Sequence, residues 1–223
     1  MDSWVARFVR STVWRLRSGG RTAHFAALAP FLLVACQTAV PAGSGPMAVY
    51  GEVFAPSAYV SYCKRNADQC IAMPRQAKEV QLTVASHRDL ARVHADVNRS
   101  VRYLSDRAQY AQDDYWTLPK GNGDCEDIAL EKRRRLIALG YPRQALLLTV
   151  ARTARGTGHM VLVVVTDRGD FVLDNLSETV VSWSALRYEW VSQQSRSRET
   201  QWVALQADDS PVAAAARTYA IRR

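Results

Sequence analysis

The sequence predicts a single α+β domain in which helical segments precede an antiparallel sheet. Apolar residues recur at helical spacing in two segments before residue 140, and five short apolar runs bounded by turn residues follow them. This segregation of helices from strands is typical of the α+β class. With 223 residues, of which 48% are hydrophobic and 22% are charged, the chain can bury a core of ordinary size.

Residues 1–36 are predicted to form an export signal. They carry five arginines against one aspartate, and the apolar stretch 23–35 is too short to span a bilayer. The stretch runs into Leu33-Val34-Ala35-Cys36, which resembles a bacterial lipobox, so we expect Cys36 to be lipidated. The alternative is an ordinary secretory signal cleaved near Val40-Pro41-Ala42, which would remove Cys36. Both interpretations take the protein out of the cytoplasm.

The remainder of the chain is predicted to contain a tether, a folded domain and a tail. Residues 37–58 are rich in Ala, Pro, Gly and Ser and show no periodicity, which indicates a flexible tether. The folded domain is expected to span residues 59–205. Residues 206–223 carry no clear pattern and are expected to form a weakly ordered tail.

Two helices are predicted ahead of the sheet. The first is expected over about 87–105, because Ser86 and Asp89 resemble a capping box and apolar residues then recur at helical spacing. A polar loop over 110–122 leads to the second helix, expected over about 124–139. Gly140 provides a C-terminal cap for that helix, and the proline at position 142 prevents its continuation.

Five strands are predicted after the second helix. Two apolar runs, 145–151 and 160–166, are rich in Leu and Val, and residues 167–170 form a turn signal before a third strand at 171–176. The last two strands are expected over 188–191 and 201–205.

The net charge of +8 does not by itself indicate a nucleic-acid-binding protein. Half of it lies in the export signal, and the later basic run Lys132-Arg133-Arg134-Arg135 falls within the second helix. We interpret this run as a solvated helix face. No nucleic-acid partner is therefore expected, and membrane contact is expected only through a lipid on Cys36.

The four cysteines have different predicted roles. If Cys36 is lipidated, an oxidising compartment is expected to join Cys63 to Cys70, because the six residues between them form a loop that closes easily. Cys125 then remains as an unpaired thiol, which is unusual in an exported protein.

Cys125 lies in Gly121-Asn122-Gly123-Asp124-Cys125-Glu126-Asp127, one residue inside the predicted start of the second helix. Backbone N–H groups and the helix dipole favour a thiolate there, and the N–H of Cys125 could form one side of an oxyanion hole. The flanking acidic residues oppose this effect by raising the thiol pKa. A cationic partner or a bound metal would restore it.

His159 and Asp174 provide a candidate base and its orienting carboxylate. Among the four histidines, His159 opens a strongly apolar strand directly after Gly156-Thr157-Gly158. Asp174 follows on the next strand. A hairpin turning around Arg168-Gly169 would place Asp174 opposite Val163, on the same face as His159 but offset along the strand. Twist or a bulge would have to close that offset.

Three ordered segments resemble the signature blocks of the bacterial transglutaminase-like cysteine proteinases. They are Gly123-Asp124-Cys125-Glu126-Asp127, Gly158-His159-Met160-Val161-Leu162 and Val172-Leu173-Asp174-Asn175-Leu176, with Asp114-Tyr115-Trp116, Pro119 and Trp183 as further matches. The resemblance implies a papain-like, transglutaminase-like core in which a helix carrying the Cys packs on an antiparallel sheet carrying His and Asp. It also implies a catalytic triad of Cys125, His159 and Asp174.

The best-understood members of this family are periplasmic, calcium-dependent proteases that cleave large surface adhesins. The resemblance therefore implies a protein substrate in the periplasm or at the cell surface, and a calcium ion bound by Asp124 and Glu126. The alternative is that Asp124 caps the helix while Glu126 and Asp127 complement its dipole. No organic cofactor is expected. The segment between Trp116 and Gly123 is short for the family, so the adhesin substrate does not transfer directly.

Three functional interpretations remain open from the residues. The first is a cysteine peptidase that forms a thioester at Cys125 and hydrolyses it. The second is an amidase or acyl transferase on the same scaffold, because an amine can resolve a thioester as readily as water. The third is a non-catalytic, lipid-anchored binding module with an inactive triad.

Overall fold

The computed structural model describes residues 44–71, 78–198 and 200–207. All of them belong to one compact unit, residues 38–223. The predicted export signal 1–36, the lipidation site Cys36 and most of the predicted tail lie outside the described residues. Within the described ranges, no helix is both long enough and apolar enough to cross a membrane.

The described helices and strands follow one another in an α+β arrangement. In chain order they are β1 (Glu52–Val53), α1 (Ser57–Arg65), α2 (Val84–Ser100), β2 (Arg102–Tyr103), α3 (Asp106–Tyr110), β3 (Asn122–Gly123), α4 (Cys125–Ala138), β4 (Leu146–Arg152), β5 (Gly158–Thr166), β6 (Gly169–Leu173), β7 (Val181–Ser182), β8 (Glu189–Gln194) and β9 (Trp202–Ala204). Short 3₁₀ turns occupy Ala67–Gln69, Arg143–Ala145 and Trp183–Ala185.

Seven strands form the main sheet in the order β1-β9-β8-β4-β5-β6-β7, and every neighbouring pair in it is antiparallel. The two short strands β2 and β3 pair in parallel elsewhere. Helices α2 and α4 pack together, and α4 also covers β4 and β5. The predicted α+β class is confirmed, and all strands of the main sheet except β1 follow the helices along the chain.

The first predicted helix begins and ends earlier than the sequence indicated. Its N-cap is Thr83, whose side chain accepts a hydrogen bond from the backbone N–H of Ser86 at 3.1 Å. Ser86 in turn accepts from the Thr83 N–H at 2.8 Å, which completes the capping box. The helix ends at Ser100 because Val101 is already extended, so the prediction that it continued to 105 is wrong.

The first half of the basic run in α4, Lys132-Arg133, is not the solvated face that the sequence predicted, whereas the second half, Arg134-Arg135, is exposed or partly exposed. Lys132 is fully buried and its Nζ donates to the backbone carbonyl of Leu173 at 3.1 Å. Arg133 is also buried and its Nε donates to the carbonyl of Leu146 at 2.9 Å. The prediction fails for these two residues because α4 packs between α2 and the sheet, where their side chains meet backbone carbonyls.

The β5–β6 hairpin has a tighter turn than expected. Thr166 pairs with Gly169, so only two residues form the turn, and Leu162 pairs with Leu173. Gly169 has a φ of +100°, and a Cβ there would lie 2.7 Å from the backbone nitrogen of Gly45. Continuing the register places Asp174 in line with Val161 rather than Val163. This correction moves Asp174 two residues closer to His159.

The predicted tether, 37–58, is wrong for the part that the structure describes. Met47 is buried, and its N–H donates to Asp170 Oδ2 at 2.8 Å. The following residues form β1 at the edge of the sheet and the start of α1. This ordering has a physical cause, because the sheet face opposite α4 carries an apolar cluster that needs cover. Its described members include Met47, Val161, Val163, Val172 and Trp190.

Candidate active site

Cys125 is the first residue of α4, which begins one residue later than the sequence predicted, and it is a half-buried free thiol. The thiol donates a hydrogen bond to Glu126 Oε2 at 3.2 Å. The backbone N–H of Met160, the residue that follows His159 in β5, also faces the sulfur. The packing of α4 against β5 therefore brings the start of the helix to the start of the strand.

The pKa of the Cys125 thiol lies well above its ordinary value. Burial is the main cause, followed by the negative charge of Glu126 and its hydrogen bond with the thiol. The Met160 N–H favours the thiolate but does not outweigh these effects. The helix N-terminus was expected to lower the thiol pKa. It does not do so here, because burial and Glu126 have the larger effect.

His159 and Asp174 are directly joined. The distance from His159 Nε2 to Asp174 Oδ1 is 2.7 Å, and both residues are buried. Since Nε2 is occupied by the carboxylate, Nδ1 is the ring nitrogen left for a proton exchanged with a nucleophile. The backbone N–H of Leu176 donates to the same Oδ1 at 2.9 Å, and the hydroxyl of Tyr188 donates to Oδ2 at 2.6 Å.

These hydrogen bonds determine the charge of Asp174. Burial alone would raise the pKa of its carboxyl group, but the donors His159, Tyr188 and Leu176 together lower it. Asp174 is therefore an ionised carboxylate at neutral pH. An ionised carboxylate can orient the imidazole and stabilise its protonated form.

Lys132 and His94 are buried basic side chains near Asp174. The sequence analysis did not identify either as part of the site. Burial lowers the pKa of Lys132 to about 7, while the charge of Asp174 opposes this effect. Burial, with the charge of Lys132, lowers the pKa of His94 to about 4, so this imidazole is neutral. Asn98 of α2 donates to the backbone carbonyl of Asp174 at 3.4 Å. Helices α2 and α4 thus both hold the Asp174 segment.

Five acidic side chains gather around the start of α4. Asp106, Asp114 and Glu126 bring one carboxylate oxygen each to within 4.8 Å of one another, and Asp106, Asp124 and Asp127 do the same. The two residues predicted from the sequence, Asp124 and Glu126, therefore fall in different groups, and Asp106 belongs to both. Sequence reasoning did not single out Asp106 or Asp114 for this cluster and interpreted Asp127 only through the helix dipole.

The carboxylates of this cluster fit a divalent cation. Asp106 Oδ1, Asp124 Oδ1 and Asp127 Oδ2 are buried and have no hydrogen-bond partner among the described residues. Burial and neighbouring carboxylates raise the pKa of Glu126 to about 9 and that of Asp127 to about 8. Buried oxygens with no donor and with mutual repulsion are stabilised by a hard cation such as calcium.

The glycine at position 123 is required by this cluster. A Cβ at Gly123 would lie 2.7 Å from the Cβ of Asp127 and 2.8 Å from its Oδ2. Gly123 also pairs with Tyr103 in the short β2–β3 ladder, which leads directly into Cys125. A larger residue would displace either the ladder or the Asp127 carboxylate.

The profile of the family described as bacterial transglutaminase-like cysteine proteinase matches residues 49–210. The chain belongs to this family. It is therefore a cysteine peptidase with a transglutaminase-like α+β core. The matched residues include Cys125, His159 and Asp174.

Among solved structures, this transglutaminase-like proteinase is similar to LapG of Legionella pneumophila. The calcium-bound form is 27% identical, with 64% of this chain and 82% of that chain covered and a TM-score of 0.48. The EGTA-treated form is also 27% identical, with coverage of 58% and 72% and a TM-score of 0.47. A third LapG structure is 30% identical, with coverage of 58% and 76% and a TM-score of 0.45. Comparison with curated proteins gives no significant match.

An open groove of about 440 Å³ lies between α1 and the loop that follows α3 in this proteinase. Ser57, Ser61, Arg65 and Arg107 line it together with Asp114, which belongs to the acidic cluster. Cys125, His159 and Asp174 do not line it. The groove therefore borders the acidic cluster rather than the thiol.

The disulfide and the remaining predicted residues can also be placed. Cys63 at the end of α1 and Cys70 are joined, with their Cα atoms 5.5 Å apart. Asp124 is at the N-cap of α4, but its side chain makes no capping hydrogen bond. Tyr188 is a site residue that sequence reasoning missed, because a tyrosine ahead of a strand carries no local signal of its contact with Asp174.

Proposed function

We propose that this proteinase is an exported cysteine peptidase that hydrolyses a peptide bond of a periplasmic or cell-surface protein through Cys125, His159 and Asp174. The observation that carries the proposal is the 2.7 Å contact between His159 and Asp174 at a strand whose next N–H faces the Cys125 sulfur. A thiol, an imidazole and a carboxylate in this order are the parts that acyl transfer to sulfur requires.

The proposed chemistry proceeds in two stages. His159 Nδ1 takes the thiol proton while Cys125 Sγ attacks the carbonyl carbon of the scissile bond. The backbone N–H of Cys125, at the start of α4, would donate to the developing oxyanion. The protonated imidazole then gives its proton to the leaving amine, and a thioester remains. His159 next removes a proton from water, which hydrolyses the thioester, while Asp174 holds the imidazole in one orientation throughout.

The acidic cluster is proposed to hold calcium. Asp106, which belongs to both groups of carboxylates, would hold the ion together with Asp124 and Asp127 of one group or Asp114 and Glu126 of the other. A divalent cation there would supply positive charge next to Glu126. Without the cation, the Glu126 carboxylate accepts a hydrogen bond from the Cys125 thiol. The unpartnered buried oxygens support this assignment independently of the family.

Export and lipid attachment at Cys36 are part of the proposal. The basic leader and the Leu33-Val34-Ala35-Cys36 segment support them. The Cys63–Cys70 disulfide is consistent with an oxidising compartment such as the periplasm. A large surface adhesin is one candidate substrate, proposed from the family resemblance.

Quantitative mass spectrometry of new protein N-termini tests the proposal. Periplasmic and surface fractions from cells expressing the wild-type protein would be compared with those expressing Cys125→Ala. Hydrolysis predicts at least one protein that appears as two fragments with wild type and intact with the variant. A substrate that instead gains mass without a new N-terminus would identify an acyl transferase. Identical fractions from both strains would contradict a catalytic role for Cys125.

A further inference from the structure

Tyr188 contacts both residues of the His159–Asp174 pair. Its hydroxyl donates to Asp174 Oδ2 at 2.6 Å, and its ring meets the imidazole of His159 edge-on, with centroids 5.9 Å apart and planes at 88°. Tyr188 immediately precedes β8, whereas His159 lies in β5 and Asp174 follows β6. A third segment of the chain therefore reaches the pair.

The two oxygens of Asp174 have different supports. Oδ1 accepts from His159 Nε2 and from the Leu176 N–H, whereas Oδ2 accepts from Tyr188, and no other donor to Oδ2 occurs in the described ranges. The nearby ammonium of Lys132 is directed instead to the backbone carbonyl of Leu173. Since Asp174 is fully buried, loss of the Tyr188 hydroxyl would leave Oδ2 without a partner and without access to water.

The position of the Tyr188 ring is fixed from its other side. Trp190 contacts it with ring centroids 5.6 Å apart, and Trp190 in turn contacts Trp183 at 6.4 Å. Trp183 donates its indole N–H to the carbonyl of Gly45 at 3.0 Å. Aromatic packing of this kind orients the hydroxyl without adding a charge to the site.

We propose that Tyr188 is a positioning residue for the triad: by holding Asp174 Oδ2, it keeps Oδ1 aligned with His159 Nε2 and restricts rotation of the imidazole. This inference rests on the proposed function of the Cys125–His159–Asp174 site. Without the hydroxyl, only the two Oδ1 contacts oppose rotation of the carboxylate about its Cβ–Cγ bond. His159 would then lose its preference for the protonated Nε2 form, which is the form that leaves Nδ1 available as a base.

The test uses Tyr188→Phe, which keeps the ring and removes the hydroxyl. Its matched control is Tyr141→Phe, because the Tyr141 hydroxyl also donates to an aspartate, Asp89, at 3.1 Å, and Tyr141 follows the C-terminal end of α4 whereas Cys125 begins this helix. The first measurement is the rate at which iodoacetamide alkylates Cys125 at pH 7.5, followed by intact mass. Tyr188→Phe is expected to slow alkylation about five- to tenfold, which corresponds to one lost hydrogen bond. Tyr141→Phe is expected to match wild type.

The second measurement reports on His159 itself. The ¹⁵N chemical shifts of the imidazole, recorded at one fixed pH in a Cys125→Ala background, give the fraction protonated on Nε2. His159→Gln assigns the signal. Asp174, Lys132, His94 and Tyr188 are the titratable groups around the pair, so the pH is kept identical for all variants. Tyr188→Phe is expected to reduce the Nε2–H fraction, whereas Tyr141→Phe leaves it unchanged.

The outcomes separate this inference from the proposed function. Unchanged tautomer and alkylation rate in Tyr188→Phe would overturn the positioning role, and so would slower alkylation with an unchanged tautomer. If His159→Gln alkylates as fast as wild type, the proposed catalytic pairing fails, but the tautomer measurement still decides whether Tyr188 holds Asp174.

If Tyr188→Phe fails to fold, the test is a comparison of the Tyr188 ¹³Cζ signal in wild type with the same signal in Asp174→Asn. Positioning requires that the Tyr188 signal move between them, and an unmoved signal would contradict it.

Discussion

The carboxylate of Asp124 turns away from the helix that it precedes and accepts a hydrogen bond from the backbone N–H of Asp106, at 3.1 Å. This contact joins the start of α3 to the start of α4. It replaces helix capping, the alternative role considered for Asp124, with a role in assembling the acidic cluster. Asp106 is therefore as central to that cluster as either residue predicted from the sequence.

Asp106→Asn is expected to weaken calcium binding more than removal of any residue in only one of the two groups. Saturating calcium at 100 times its Kd would raise the unfolding free energy of wild type by about 2.7 kcal/mol. Most of this gain should be lost in the variant, while the variant without calcium should be at least as stable as wild type because repulsion is relieved. Melting temperatures with calcium and with EGTA measure both effects. Asp113→Asn, at an exposed aspartate paired with Arg107, is the control.

Asp174→Asn is expected to preserve the fold, and to reduce by roughly two or more orders of magnitude the turnover of a substrate found by the mass-spectrometry experiment above. The reason is that the imidazole loses its orienting anion. Asp170→Asn is the matched control: Asp170 is also buried, on β6, but it accepts from the N–H of Met47. It should cost stability without changing turnover per folded molecule. Near-normal turnover of Asp174→Asn would remove this residue from the triad.

Lys132→Met is expected to change how stability depends on pH. Burial lowers the pKa of Lys132 to about 7, so the folded protein binds fewer protons than the unfolded chain between pH 7 and the ordinary lysine range. The unfolding free energy of wild type therefore rises with pH across this window. Methionine removes that rise, so the stability of the variant relative to wild type should fall by about 2–3 kcal/mol between pH 7 and 9.

Urea unfolding of Lys132→Met at several pH values measures this difference. Lys64→Met, at an exposed position of α1, is the control and should track wild type. If the difference in unfolding free energy between Lys132→Met and wild type stays constant from pH 6 to 9, the lowered pKa of Lys132 is contradicted.

Gly123→Ala is expected to destabilise the protein by about 1–3 kcal/mol, because its Cβ would overlap the Asp127 side chain. The same displacement should weaken calcium binding. Gly51→Ala is the control, since a Cβ at Gly51 meets no atom within 4 Å. Urea unfolding and calcium titration of both variants provide the measurements, and equal behaviour of the two would argue against a steric role for Gly123.

The parts of the fold that depend on local pattern were predictable from the sequence. The start of α4 at Cys125 follows from the turn residues before it, and the β5–β6 hairpin follows from two apolar runs around a turn signal. The hairpin register was not predictable, because the choice of a two-residue turn depends on the close approach of Gly45 to Gly169. That contact joins segments more than a hundred residues apart.

The site shows the same division. Cys125, His159 and Asp174 could be proposed from short motifs, and the structure brings the last two into contact. Asp106, Lys132 and Tyr188 could not, since each acquires its role only when separate segments meet. Lys132 is the clearest case: a lysine beside three arginines has the sequence pattern of a solvated face, yet it is fully buried against Leu173.

The docking of residues 44–58 has a consequence for where the chain can be cut. Loss of this segment would remove β1 from the edge of β9 and uncover Val161, Val163 and Val172. An unpaired edge strand beside a bare apolar face is a surface that promotes aggregation. If the leader is processed as proposed, cleavage before Cys36 and cleavage near residues 40–42 both fall upstream of residue 44, so either route would leave this cover in place.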